Sequence, residues 1–481
     1  MKIYYQKQTH AFMKQATIMK FNNNILRGAL FLVALTLTTT SCDLFKKAET
    51  TAPKKDKKKD QDQTNPNTGR VVLVDSVRWK VDPRAKPPIT STGQMPPSPV
   101  VIADGSSVIT TPATPSTGGV GTKESYNLAL LLPFNSDKYT EGVNPAKAQF
   151  ALDFYAGAKM AFDTLSTLPV KLNINVMDSR GDFNSVSSRY EVTKADVIIG
   201  PVEKEGVVSA VAFSSRNNVT VVSPYFPTGD VEGFNPNFVQ VKPSLKMHCN
   251  NIVRHIQSHY GTAQVVLAGR TKDNEVARFS YFADANKMYS NAKYEEWRID
   301  DDFNFNIEPY IENTGTTVFV IPSWNEAFVT TFLKKLNASP RRNQVVVYGM
   351  PQWMDFDKSL NGLYEALKVR VSSSTYIDNN SPDVKVFKNK FLSKYGKLPN
   401  SDAFLGYDCT LFIGRMMMQY GSKFPYFLDR EQQSVLHTRF YFNPVFRAVS
   451  TGDDANNNIS KYENSYVNIL RFQGNIFKLD E

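Results

Sequence analysis

The chain has 481 residues, 41% of them hydrophobic and 12% aromatic, enough for two or three domains with buried cores. Its formal charge of +10 sits at one end: residues 1–42 hold five basic and no acidic side chains, residues 43–124 hold 13 and 9, and residues 125–481 hold 38 and 37. A fold that binds nucleic acid carries clustered basic charge on its own surface, so the balanced body excludes that class.

The first segment reads as an export signal. Lys20 and Arg27 precede GALFLVALTL (28–37), which is followed by TTTSC. Ten residues are too few for a membrane-spanning helix, which needs about 20; a basic region, a short apolar run and a small-residue end make a secretory signal. The 18 residues before Met19 do not fit such a leader, which makes Met19 the better start. Cys42 directly after Thr-Thr-Ser resembles the end of a bacterial lipoprotein signal, although Thr39 stands where that signal carries an apolar residue. The resemblance implies removal of residues 1–41 and a lipid on Cys42, holding the protein to the outer or inner membrane and facing the periplasm.

Residues 42–124 include KKDKKKD (54–60) and TPATPSTGG (111–119). Such composition buries too little apolar surface to fold and predicts a disordered tether. The exception is VVLVDSVRWKV (71–81), apolar enough for a short strand that docks on the main body.

From residue 125 strand-like and helix-like runs alternate, which predicts an α/β fold with parallel sheets. NLALLLPF (127–134) is a continuous apolar run, as in a strand buried on both faces. Asn144-Pro145 can cap a helix whose apolar positions Phe150, Phe154, Ala158, Ala161 and Leu165 form one stripe. VKLNINVMDSRGD, ADVIIGP and VTVVSPY add strand-and-turn units, and AQVVLAGR, TTVFVIPS and NQVVVYGM form a second series. Ser323-Trp324-Asn325-Glu326 has the spacing of a capping box.

The pattern NLALLLPF, DFYAGAKMAFD, ADVIIGP, VTVVSPY, FVQVKPS and FLSKYGKLPNSDAFLGYDCTLF resembles the type I periplasmic-binding-protein fold over residues 125–425. The branches it resembles are branched-chain amino-acid substrate-binding proteins of ABC transporters and lipoprotein activators of penicillin-binding proteins. The resemblance implies two Rossmann-like lobes of parallel sheet flanked by helices and joined by three crossovers. These fall near Pro243, near Ser373 and between Gly421 and His437. Residues 125–243 and 374–425 would form the first lobe, and residues 244–373 and 426–481 the second.

Ligands of open α/β sheets sit beyond the carboxyl ends of the strands. Carried over position by position, the first lobe would line the cleft with Asn135, Ser136, Gly200, Pro201, Glu203, Ser223 and Tyr225. The second lobe would offer Ser323, Trp324, Tyr348, Gln352 and Trp353, with Tyr376, Tyr407 and Asp408 near later crossings. Amino-acid-binding members hold the ligand carboxylate with N–H groups and small hydroxyl residues after the Gly-Pro turn. Here that turn continues Val202, Glu203, Lys204, Glu205. A first-turn carboxylate satisfies the helix start by itself and repels an anionic ligand.

His248, His255 and His259 lie along one side of a predicted helix, a spacing open to a metal site or to a solvated flank. Cys249 and Cys409 fall on apolar faces, which favours buried free thiols. No nucleophile elbow, phosphate loop, Cys-x-x-Cys or His-Glu-x-x-His occurs. The chain therefore reads as a non-enzymatic envelope protein without cofactor or metal. It either binds a small ligand (amino acid, peptide or sugar-like) in the cleft, or docks a cell-wall synthase as a regulator of peptidoglycan synthesis with a vestigial cleft. Replacing Cys42 with Ser is expected to move the protein out of the detergent phase in a partition assay. Continued membrane partition would refute the lipid anchor.

Overall fold

The computed structural model describes residues 76–77, 123–138, 148–167, 171–227, 235–272, 275–290, 294–446 and 459–480. The expected signal peptide, Cys42, the helix start at Asn144-Pro145 and nearly all of the tether lie outside the described residues. No helix among the described residues is long and apolar enough to cross a membrane.

In chain order the strands are β1 (Ser76–Val77), β2 (Ser125–Leu132), β3 (Lys171–Asp178), β4 (Val197–Ile199), β5 (Thr220–Ser223) and β6 (Phe238–Gln240). Then come β7 (Gln264–Arg270), β8 (Tyr294–Ile299), β9 (Thr317–Val320), β10 (Val345–Gly349) and β11 (Arg370–Ser373). The last are β12 (Gln432–Ser434), β13 (Arg439–Phe446), β14 (Ile459–Asn464), β15 (Asn468–Gln473) and β16 (Ile476–Leu479). They build two sheets. One has nine strands in the order β1-β3-β2-β4-β5-β6-β14-β13-β12, the other seven in the order β16-β15-β11-β10-β9-β7-β8.

Each sheet has a parallel centre, β3-β2-β4-β5-β6-β14 in one and β11-β10-β9-β7-β8 in the other, with antiparallel strands added at the edges. Among the central strands Val197–Ile199 (VII) and Thr317–Val320 (TVFV) are wholly buried, as strands covered on both faces are. Within the apolar run 71–81, Ser76 and Val77 pair antiparallel with Asn175 and Ile174 of β3.

The chain leaves the nine-stranded sheet after β6, because the helix Leu245–Tyr260 buries Cys249, Ile252 and Ile256 in the core of the other lobe. It returns after β11, and the helix Ser401–Tyr420 buries Leu411, Phe412 and Met416 in the first-lobe core. The third crossing differs from expectation. Strands β12, β13 and β14 complete the first-lobe sheet, and the chain passes to the seven-stranded sheet between Asn464 and Asn468, not between Gly421 and His437. β14 carries Lys461-Tyr462-Glu463-Asn464, which reads as solvated surface, yet all four are buried. Lys461 donates to Gln240 of β6 at 2.8 Å, and Glu463 accepts the Ser244 N–H at 2.6 Å. The polar partners come from the first crossing, some 220 residues earlier, and no local pattern announces them.

The helices Gln149–Leu165 and Ser401–Tyr420 cross in backbone contact. A Cβ on Gly157 would lie 1.8 Å from the Ala403 carbonyl oxygen, and one on Gly406 would lie 2.0 Å from that of Phe154. The contact pins the returning chain onto the first lobe. Gly406→Ala is expected to lower the unfolding free energy by at least about 2 kcal/mol, since neither helix can yield without losing its neighbours. An unchanged urea midpoint would show that the two backbones do not touch.

Candidate functional site

The first-lobe strand ends are closed by the chain's own carboxylates. Asp178, at the end of β3, accepts the N–H groups of Asn135 (3.0 Å), Ser136 (2.8 Å) and Arg180 (2.9 Å) and the Ser136 hydroxyl (2.8 Å). Burial raises its pKa, but these hydrogen bonds outweigh burial and hold the carboxyl below its usual range. Asn135 and Ser136 are therefore spent on Asp178.

Beyond β4, Gly200 has φ +96°, and a Cβ there would lie 2.2 Å from the Leu131 carbonyl oxygen, so only glycine fits. The Gly200-Pro201 bond is cis. Glu203 precedes the helix Lys204–Asn217, and its carboxylate lies against Gly181. Burial raises the pKa of Glu203 and nearby Asp178 and Glu205 push the same way, while the N–H groups of Glu203 and Val202 oppose them. Glu203 makes no side-chain bond to the helix start, and its Oε2 is buried without a hydrogen-bond partner among the described residues, so an anionic ligand at this turn would meet its charge.

After β5, Ser223 is buried and donates to the Phe226 carbonyl. Tyr225 meets Phe150 edge-on at 5.7 Å and donates its hydroxyl to Asp402 at 2.8 Å.

In the second lobe most of the expected cleft residues belong to the core. Tyr348 and Trp353 have no exposed surface; the Tyr348 hydroxyl meets His255 Nδ1 at 2.7 Å, and Trp353 Nε1 donates to the Ser323 carbonyl. Ser323 is buried and donates to Glu275 at 2.6 Å. It does not cap the following helix. Asn325 does, by accepting the Phe328 N–H at 2.9 Å, so the capping-box reading shifts by two residues. Trp324 remains 46% exposed with the Arg278 guanidinium 4.1 Å from its ring, and Gln352 is exposed.

The histidines do not converge. His248 is buried against the Ser372 hydroxyl (3.0 Å), and burial lowers its pKa to about 4. Burial lowers His255 to about 4 as well, helped by His259, which stacks on it at 3.9 Å. Both are neutral and committed at neutral pH. Neither forms the solvated flank left open by the spacing. Among the described residues no group of three or more His, Cys, Asp or Glu is placed to hold a metal. Cys249 and Cys409 are buried and free, with thiol pKa values raised by burial.

The carboxylate of Asp408, wholly buried, accepts the N–H groups of Leu436 (3.1 Å), His437 (2.9 Å) and Thr438 (2.8 Å) and meets His437 Nδ1 at 2.8 Å. The His437 carbonyl in turn accepts the Tyr376 N–H at 2.9 Å. Tyr407 packs on Phe387, with ring centroids 4.8 Å apart. Asp408 and Tyr376 thus tie the second crossing to the first lobe.

Between the two early crossings lies a half-open cavity of about 240 Å³, the hinge cavity, where the first crossing leaves the first lobe and the second returns to it. Lys242 comes from the first crossing, Ser374 and Thr375 from the second, Ser401 and Asp402 from a helix start, and Tyr225 and Thr438 complete the polar wall. Burial raises the Asp402 pKa, the Tyr225 hydrogen bond lowers it and Asp153 raises it again. The Lys242 ammonium is exposed and has no partner among the described residues. A cation, a carboxylate and hydroxyls around a space of amino-acid size suit a small zwitterion or polyol. Of these residues the sequence reading named only Tyr225. The others sit at segment ends far apart in the chain; Lys242, Ser401 and Asp402 fall within FVQVKPS and FLSKYGKLPNSDAFLGYDCTLF, whose pattern points to the fold and assigns these residues no part in the cleft.

No family model and no curated protein sequence matches the chain. Solved structures do. A protein described as a branched-chain amino acid ABC transporter from Rhodospirillum rubrum aligns with TM-score 0.54 and 16% identity, over 74% of this chain and 100% of its own. An ABC-type branched-chain amino acid transporter protein from Rhodopseudomonas palustris aligns with TM-score 0.50 and 11% identity, over 74% and 95%. Full-length LpoA from Haemophilus influenzae aligns with TM-score 0.51 and 12% identity, over 75% of this chain and 59% of that one. With two mostly parallel sheets joined by three crossings, the chain has the type I periplasmic-binding-protein fold.

Proposed function

We propose that this protein is a non-enzymatic, lipid-anchored binding protein of the cell envelope that holds a small polar ligand in the hinge cavity. The observation that carries this reading is the cavity itself: about 240 Å³, with Lys242 and Asp402 on its wall and both lobe crossings in its frame. A zwitterion of amino-acid size would set its ammonium against Asp402 and its carboxylate against Lys242 and the hydroxyls. Closing the lobes moves the crossings, so occupancy would bias lobe closure. The similarity to amino-acid transporter proteins supports the ligand class. The carboxylates at Asp178 and Glu203 argue against a grip on the ligand carboxylate at the Gly-Pro turn.

That same filled turn supports a second reading, in which the cleft is a scaffold and the protein docks a cell-wall synthase. The fold similarity to LpoA is in keeping with it.

A thermal-shift screen of the full protein against amino acids, short peptides, sugars and cell-wall fragments separates the two. A ligand present at 100 times its Kd adds about 2.7 kcal/mol of apparent stability, which a melting curve resolves. Silence across the panel would sink the receptor reading and leave cross-linking to a synthase in cells as the next step.

For any ligand found, Lys242→Met is expected to weaken binding at least about tenfold, the loss of one charge-assisted hydrogen bond. Glu203→Ser should leave the affinity unchanged; loss of binding in that variant would put the ligand at the Gly-Pro turn. Burial has raised the Asp402 pKa, so affinity should fall as pH drops through that raised value and the carboxylate is protonated. Affinity that does not change with acidification would remove Asp402 from the contact.

A further inference from the structure

A second cavity, of about 820 Å³, opens on the first lobe and shares no lining residue with the hinge cavity. Its floor is apolar. Met160, Phe387 and Leu411 are each at least nine-tenths buried, and they come from three different helices: Gln149–Leu165, Pro382–Tyr395 and Ser401–Tyr420. Its rim is charged. Lys394 is neutralised by Asp163 at 2.6 Å. Lys390 and Arg415 are exposed and have no partner among the described residues; the one unpaired carboxylate on the wall is Asp383.

The volume falls in the range of sites for drug-sized ligands, about 300–1,000 Å³. A wholly apolar ligand would leave both cations without a partner, and a fully polar one would leave the floor dry and unfilled. A cationic amphiphile would meet Lys390 and Arg415 at the mouth. We propose that this groove binds an amphiphilic anion, a molecule with an apolar body lying on Met160, Phe387 and Leu411 and a carboxylate, sulfonate or phosphate facing Lys390 and Arg415. The head and chain could belong to a free fatty acid or to a membrane lipid, which share this chemistry.

The test uses the full protein and 1-anilinonaphthalene-8-sulfonate, an apolar ring system with one sulfonate. Its fluorescence should rise saturably with one site per chain. Decanoate should displace it, and decyltrimethylammonium, with the same chain and opposite charge, should not. The double variant Lys390→Glu, Arg415→Glu changes only exposed side chains; it should keep the parent melting temperature and lose at least tenfold in affinity. Vesicles containing phosphatidylglycerol, added in place of decanoate, distinguish a membrane lipid from a free fatty acid as the source. Equal displacement by both amphiphiles, unchanged affinity in the double variant, or no saturable signal would overturn the proposal. Binding of the peptide acetyl-(Glu-Leu)3-amide without displacement by decanoate would overturn it too, and would reassign the groove to a protein segment.

Discussion

One buried carboxylate ties the returning chain of the second crossing to the first lobe. Asp408 has no exposed surface, so its negative charge must be met from within the protein. Three successive N–H groups and a histidine ring meet it. Those N–H groups belong to the loop between β12 and β13, and the same loop bonds the second crossing through Tyr376. Remove the carboxylate and the loop has no reason to turn there. His437 and Thr438 would then leave the cavity wall. The fold is specified at this point by desolvation more than by shape.

The same logic closes the first-lobe strand ends. In an open α/β sheet the N–H groups beyond the strands are the usual seat of an anionic ligand. Here Asp178 takes the seats at Asn135 and Ser136, and Glu203 lies over the Gly-Pro turn. Two carboxylates in these positions neutralise the helix start and give the region a negative character. A ligand held through its carboxylate would meet like charge there, because the Glu203 carboxylate is half-buried beside the turn and makes no cap bond to the helix start. The hinge cavity differs, because Lys242 and Asp402 offer both signs of charge within one small space.

The second lobe shows how an aromatic residue at a strand end can be read in two ways. Tyr348 lies near the end of β10, and Trp353 and Trp324 follow strands, yet of the three only Trp324 reaches solvent. Gly349 lets the Trp353 ring lie against the strand, where a Cβ would stand 2.3 Å from it. The ring is thereby drawn inward, and its Nε1–H is satisfied by the Ser323 carbonyl. Period and residue type are the same for a ligand platform and a core plug. Only the neighbour that covers the ring separates them.

By itself the sequence determined the fold class, since buried parallel strands must be continuous apolar runs and their covering helices must show one apolar stripe. It also carried the Gly200-Pro201 turn, the free thiols on apolar faces, and the short strand within 71–81. These are local consequences of burial and backbone sterics. What tertiary structure alone decided was the pairing of polar groups across long separations. Lys461 and Glu463 enter the core because Gln240 and Ser244 wait there, which moved the third crossing to residues 464–468. Asn325 caps its helix, while Ser323, two residues earlier, donates to Glu275 and accepts the Asn325 N–H. The hinge cavity gathers residues 225, 242, 374, 402 and 438, each at the end of a different element. A charge can be buried only where partners meet it, and where they meet is a property of the assembled chain.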